Sequence, residues 1–256
     1  MRSPLTSLLL LLALPCSAAG AVCDRAAFAV AIDAGHTRAD PGATSARGVA
    51  ERAFNEALAA RAVESLRRAG FERTFPTQAD PADAIELHER ARSAAAGNAR
   101  LLISIHHDSA QPPLLSAWSH RGVERRHTDR IRGHSLFVST RNADPAESLR
   151  FARLLGAQLQ AQCLTPTLHH AEPIAGEARE LIDRRLGIYR YDDLAVLRSA
   201  AMPAVLFEAG VIVNRQEELR LRSAAHQRRL AAALTQAVVG FCEGLVPKPL
   251  PASPCR

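Results

Sequence analysis

Apolar residues along this chain alternate between short continuous runs and a period of about four, and the alternation predicts its elements. Residues 27–33 (AFAVAID) read as a buried strand. From Glu51 to Arg68, Phe54, Leu58, Ala62 and Leu66 recur every fourth residue until Gly70 ends the pattern, which predicts a helix. A strand near Phe71 to Phe75, a helix over Ala84 to Ala95 and a β-branched strand over Leu101 to His106 (LLISIH) follow. Strands alternating with helices imply βαβ units. The expected fold class is therefore α/β, a three-layer sandwich with a mostly parallel central sheet flanked by helices.

The second half of the chain is less regular. His134 to Thr140 predicts a strand, Pro145 to Ala161 a helix with Leu149, Ala152, Leu155 and Leu159 on one face, and Pro203 to Gly210 (PAVLFEAG) a last buried strand. Asn214 to Gly244 predicts one or two helices carrying Leu230, Leu234, Val238 and Phe241 on a common face. Two stretches carry no period. Residues 111–133, with Pro112, Pro113 and Trp118, read as an inserted loop, and Thr165 to Arg185 as a second irregular excursion.

Composition changes the picture at the chain's two ends. Arg2, the apolar run Leu8 to Leu14 and Ala19-Gly20-Ala21 have the layout of a secretory signal over residues 1–21, which would place the protein in the periplasm or cell envelope. The run is short and broken by Pro15, so an uncleaved anchor is the lesser alternative and no stable membrane anchor is expected. Residues 22–246 then read as one domain, with insertions near 111–133 and 165–190, and residues 247–256 as a Pro-rich tail. Cys23, Cys163, Cys242 and Cys255 suit disulfides in that compartment, their pairing open among three arrangements. The net charge of +6 favours an anionic partner. Aromatics are few and not interleaved with the arginines, which argues against a nucleic-acid platform; a monomer is expected.

The candidate chemistry shares one address. His36 follows the first strand, His106 ends LLISIH, and Glu208 ends the last buried strand, all at carboxyl ends, where ligands collect in an open parallel sheet. Glu51 opens the helix after the first loop. Two imidazoles and a carboxylate with one open position suit a catalytic zinc, which lowers the pKa of bound water toward about 7. A second, unligated carboxylate can serve as general base. Taken singly, His36 and Glu51 have ordinary structural explanations; Glu208, a carboxylate in an apolar run, needs a purpose.

The stretches AIDAGHTRADPGA, GVAER, LHERARSAAAGNARLLISIHHDS and PAVLFEAGVIVN together resemble the zinc-dependent N-acetylmuramoyl-L-alanine amidases of bacteria, from about Ala27 to Asn214. The resemblance implies one zinc ion held by His36, Glu51 and His106, with Glu208 as the catalytic glutamate. It implies hydrolysis of the amide joining N-acetylmuramic acid to L-alanine, with peptidoglycan or muropeptides as partner. His106 rather than His107 stands at the family's ligand position, and neighbours on a strand face opposite ways. The chain departs from the family pattern at Thr37, Arg38, Gln78, Asp108 and Val211, none of them a ligand. Arg38 and Asp108, at the rim where the chain departs from the family, are candidate substrate-binding residues; the insertions resemble those of one subgroup and add His169 and Glu177, with His170 and Glu172 beside them, the alternative being a surface loop of solvated charges. The competing readings are a non-catalytic peptidoglycan-binding relative and a carboxypeptidase-like zinc hydrolase of peptides or acyl-amino acids.

Overall fold

The computed structural model describes residues 23–78 and 87–247, so the leader and most of the Pro-rich tail lie outside the described residues. In the first half, β1 (Val30–Ala34), α1 (Glu51–Arg68), β2 (Thr74–Pro76), α2 (Leu87–Ala96) and β3 (Leu101–Asp108) alternate as the pattern predicts. The second half supplies β4 (Ser116–His120), β5 (Val123–His127), β6 (Ser135–Val138), α3 (Pro145–Ala161), β7 (Glu180–Asp183), β8 (Ile188–Arg190), α4 (Ala195–Ser199), β9 (Ala204–Val211), α5 (Arg215–Leu221) and α6 (Ala224–Cys242).

Seven strands form one sheet in the order β2-β1-β3-β9-β6-β8-β7. Neighbours run parallel except at β9–β6 and β8–β7. Both faces are covered, which is why the central strands read as continuous apolar runs. Their side chains alternate between two cores. Val30, Ile32, Leu101, Ile103, Ile105, Val205 and Phe207 pack with α1, α3 and α6, whereas Ala31, Leu102, Ala204 and Leu206 pack with Ala91 and Ala94 of α2 and Val196 and Leu197 of α4. This is the expected three-layer sandwich.

Two expectations need correction. Residues 111–133 contain a hairpin: β4 and β5 pair antiparallel around Arg121-Gly122, both at positive φ, the conformation a two-residue hairpin turn requires. Its strands, SAWSH and VERRH, are mostly exposed and so show no apolar alternation. Trp118 ties the hairpin down, its indole N–H donating to the Ala46 carbonyl at 3.0 Å. The second excursion is irregular only in part, because β7 begins within it and β8 follows at once, and the two extend the sheet. The five-residue helix α4 was too short to show a period. At the opposite end of the core, a Cys23–Cys242 disulfide joins the start of the described chain to the end of α6. Cys163 is also disulfide-bonded. No helix among the described residues is long and apolar enough to cross a membrane.

Candidate active site

Adjacent parallel strands bring the first cluster together. β1 and β3 run in register, Ala34 beside Ile105, so the chain leaves β1 at Gly35-His36 next to His106. His36 takes a left-handed backbone (φ +71), which turns the loop across the sheet's edge. Residues 41–43 then fold back on α1, whose first residue is Glu51. One carboxylate meets both imidazoles through separate oxygens: His36 Nε2 lies 3.1 Å from Glu51 Oε2, and His106 Nδ1 lies 3.1 Å from Glu51 Oε1. The two ring centroids are 5.0 Å apart. Glycines make this approach possible. A Cβ on Gly35 would lie 2.2 Å from the His106 ring, and one on Gly42 2.6 Å from both Glu51 Oε2 and the His36 ring.

Buried polar groups hold the cluster in place. Asn55, one helical turn after Glu51, donates to Glu51 Oε1 and to the Gly35 carbonyl, each at 3.1 Å, and its Oδ1 accepts from His107 at 2.8 Å. Complete burial drives the His107 pKa down to about 3, so its ring stays neutral and structural. His106 and His107 point to opposite sides, as strand geometry requires. Arg90 of α2, 1% exposed, pairs with Asp33 at 3.0 Å and donates to the carbonyls of Ala34 (2.7 Å) and His36 (2.8 Å). Asp33 also accepts from Thr77 and Ser104. Burial alone would raise the Glu51 carboxyl and lower the His36 ring. Their hydrogen bonds and opposite charges outweigh it, holding Glu51 well below the usual carboxylate range and His36 above its ordinary value.

Glu208 of β9 stands directly beside His106 in the strand register. Its Oε2 is buried and has no hydrogen-bond partner. Burial first, then the charges of Asp108 and Glu51, push its carboxyl well above the ordinary range. The residue lines a cavity of about 270 Å³ with Asp108, Phe137, His170, Glu177 and Tyr191. A carboxylate set in an apolar strand thus keeps one buried oxygen unsatisfied beside this cavity.

The remaining candidates divide. Asp108, His169 and Glu177 converge on His170 beside this cavity: His170 bridges Asp108 Oδ2 and Glu177 Oε2, each at 2.7 Å, and His169 Nε2 lies 3.5 Å from Asp108 Oδ2. Burial opposes protonation of His170, but the two carboxylates raise it to about 9. Glu172 instead pairs with Arg130 at the surface. Arg38 is exposed on the loop after His36. Asn55, Arg90 and Asp33 were missed by the sequence reading. Asp33 carried the same signal as Glu208, an acid in an apolar strand; Asn55 and Arg90 looked like ordinary helical polar residues.

The first cluster fits a zinc-class cation on its own features. It offers two neutral-capable nitrogens and one ionised carboxylate within 4.8 Å of one another, inside a cradle that a Cβ would fill. Several known proteins share this frame. A probable N-acetylmuramoyl-L-alanine amidase of Haemophilus influenzae, AmiB, is 27% identical over 245 residues, covering 86% of this chain and 53% of that protein. The amidase AmiA of Escherichia coli is 26% identical over 219 residues, covering 83% and 75% respectively. This chain therefore spans about half the length of the first relative and three quarters of the second. Among solved structures, the amidase Ami1 of Mycobacterium smegmatis superposes with a TM-score of 0.67 at 21% identity, over 86% of this chain and 99% of that one. The catalytic domain of the amidase CwlV from Paenibacillus polymyxa var. colistinus gives 0.62 at 27% identity, over 84% and 97%. Residues 30–239, from β1 into α6 and including both clusters and Glu208, match the N-acetylmuramoyl-L-alanine amidase family (Amidase_3), and the chain belongs to that family.

Proposed function

We propose that this protein is a zinc-dependent amidase that cleaves the bond between the lactyl group of N-acetylmuramic acid and L-alanine in peptidoglycan or its fragments. The observation that carries the reading is the unsatisfied Glu208 Oε2 one strand from His106, at the edge of the His36–Glu51–His106 cluster. His36, Glu51 and His106 would hold the cation. When bound there, zinc acidifies water and polarises the scissile carbonyl.

The chain's own groups do the rest. Glu208 accepts the proton of the attacking water at Oε2 as the new C–O bond forms. It then returns that proton to the alanine nitrogen as the C–N bond breaks, which makes an otherwise poor leaving group a neutral amine. Burial suits it to hold the proton between the two steps: a carboxyl raised above its usual range binds a proton more readily than a solvated one. Asn55 and Arg90 keep the first loop and Glu51 in register, and Gly42 lets the loop close over the pair. The leader-like layout of residues 1–21 supports an export route to the compartment where the polymer lies.

Digestion of purified muropeptides tests the reading. The expected products are a free lactyl carboxylate on the sugar and a peptide with a new N-terminal alanine, with activity lost to a chelator and restored by zinc. A peptide shortened at its carboxyl end would identify a carboxypeptidase instead, and no cleavage of any muropeptide would leave only a binding protein.

A further inference from the structure

We propose that Asp108, His169 and His170 form a second divalent-cation site, separate from the first cluster and suited to zinc. Neither its residues nor its evidence depends on the amidase reading. Their ligating atoms, Asp108 Oδ2 and the two Nε2 nitrogens, lie within 4.8 Å of one another, and none is shared with His36, Glu51 or His106. The imidazoles lie with centroids 3.9 Å apart and planes tilted by 37°, and both present Nε2 to the same carboxylate oxygen.

The far sides of both rings are already engaged in the way metal-bound histidines usually are. His170 Nδ1 meets Glu177 Oε2 at 2.7 Å, and His169 Nδ1 meets the Thr167 hydroxyl at 2.9 Å. Each contact fixes the ring orientation and leaves Nε2 as the ligating nitrogen, with Glu177 completing a carboxylate–histidine–metal relay. A plain ion-pair network would need His170 alone, held between two carboxylates. It gives no role to His169, which is 3% exposed and whose Nε2 has no hydrogen-bond partner. A buried ring nitrogen left unmatched is costly, and a cation facing Asp108 satisfies it. Two nitrogens and one oxygen favour zinc over magnesium or calcium, which prefer all-oxygen shells.

The position gives such a cation two consequences. It joins the end of β3 to the excursion around His169–Ala171, pinning that segment to the sheet. Asp108 and His170 also line the cavity that contains Glu208, so the ion would face whatever enters.

Bound zinc per chain, measured on the purified protein after dialysis against zinc-containing buffer, tests the site. Two equivalents are expected in the wild type, and one in each of H169Q, D108N and the first-cluster variant H36A/H106A. Removing zinc from H36A/H106A with a chelator should lower its melting temperature. The second site is overturned by a wild type holding one equivalent that H36A/H106A abolishes, by two equivalents that H169Q leaves intact, or by H36A/H106A that binds no zinc. A single equivalent kept by H36A/H106A but lost in H169Q would instead support the second site and remove the first. If H169Q and D108N do not fold, zinc content and chelator response of H36A/H106A decide alone.

Discussion

Among the described residues, two histidine–carboxylate clusters stand on one edge of the sheet, and they are assembled by opposite means. The first draws His36, Glu51 and His106 from the ends of regular elements, joined by a loop whose glycines allow close approach. The second draws Asp108 from the same β3 but its histidines from an irregular turn, which rests on the sheet through backbone bonds around His134. The first is partly open, with His36 and His106 side chains 23% and 18% exposed, whereas the His169 side chain is 2% exposed. Glu208 stands between them. Their difference teaches that rigid elements can present reactive groups to solvent, while a segment without its own secondary structure holds its polar groups only by burying them.

The largest expected effect separates chemistry from metal binding at their shared boundary. Glu208→Gln should lower kcat by about 10²–10⁴-fold with zinc content unchanged, measured by muropeptide turnover and metal analysis. Turnover equal to wild type would remove Glu208 from the reaction.

Acid should loosen the support of the second region at His134. Burial holds His134 down at about 4 from the ordinary 6.5, and its Nε2–H donates to the Leu186 carbonyl at 3.3 Å, while its backbone pairs with Thr165 and Thr167. The unfolded chain therefore binds a proton that the folded chain refuses between those two pH values. Stability from this residue is complete above pH 6.5 and declines as the pH falls toward 4, by about 3 kcal/mol in all. Denaturant unfolding at pH 6.5 and pH 4.5 should show a smaller acid loss in His134→Gln than in wild type; parallel losses would contradict this account.

Glycine substitutions sharpen the contrast further. Gly42→Ala puts a methyl at a left-handed position 2.6 Å from Glu51 Oε2 and the His36 ring. It should cost about 2 kcal/mol and weaken zinc binding at the first cluster about tenfold or more, readable by competition with a chelator. Gly176→Ala, beside the second cluster, meets only the end of the Gln111 side chain at 2.9 Å. The backbone cost alone, about 1 kcal/mol, should appear in its melting curve, with zinc content unchanged. A larger effect for Gly176 than for Gly42 would reverse the proposed division between a tight cradle and a forgiving insertion.

Legibility followed the same division. The helix from Glu51 to Arg68 and the helix from Pro145 to Ala161 have the ends their patterns predict, because each buries one stripe along many turns. His36, His106 and Glu208 could be placed together because parallel strands share a carboxyl edge. The β4–β5 hairpin left no trace, since both of its faces are largely polar. Asn55 and Arg90 were equally silent: a polar residue's burial depends on what packs over it, which no local pattern records.

What the amino-acid order decided by itself was the alternation of strand and helix, the sheet they must share, and the residues that had to stand at its edge. Periodicity is local, and hydrophobic burial enforces it wherever an element has one apolar face or two. What only the folded chain decided was distance: which oxygen of Glu51 meets which ring, that Glu208 keeps an unmatched oxygen, and that His170, with His169 beside it, reaches Asp108 across 62 residues of chain. Those contacts join remote segments through orientation and packing, and their energies exist only once the intervening chain has closed.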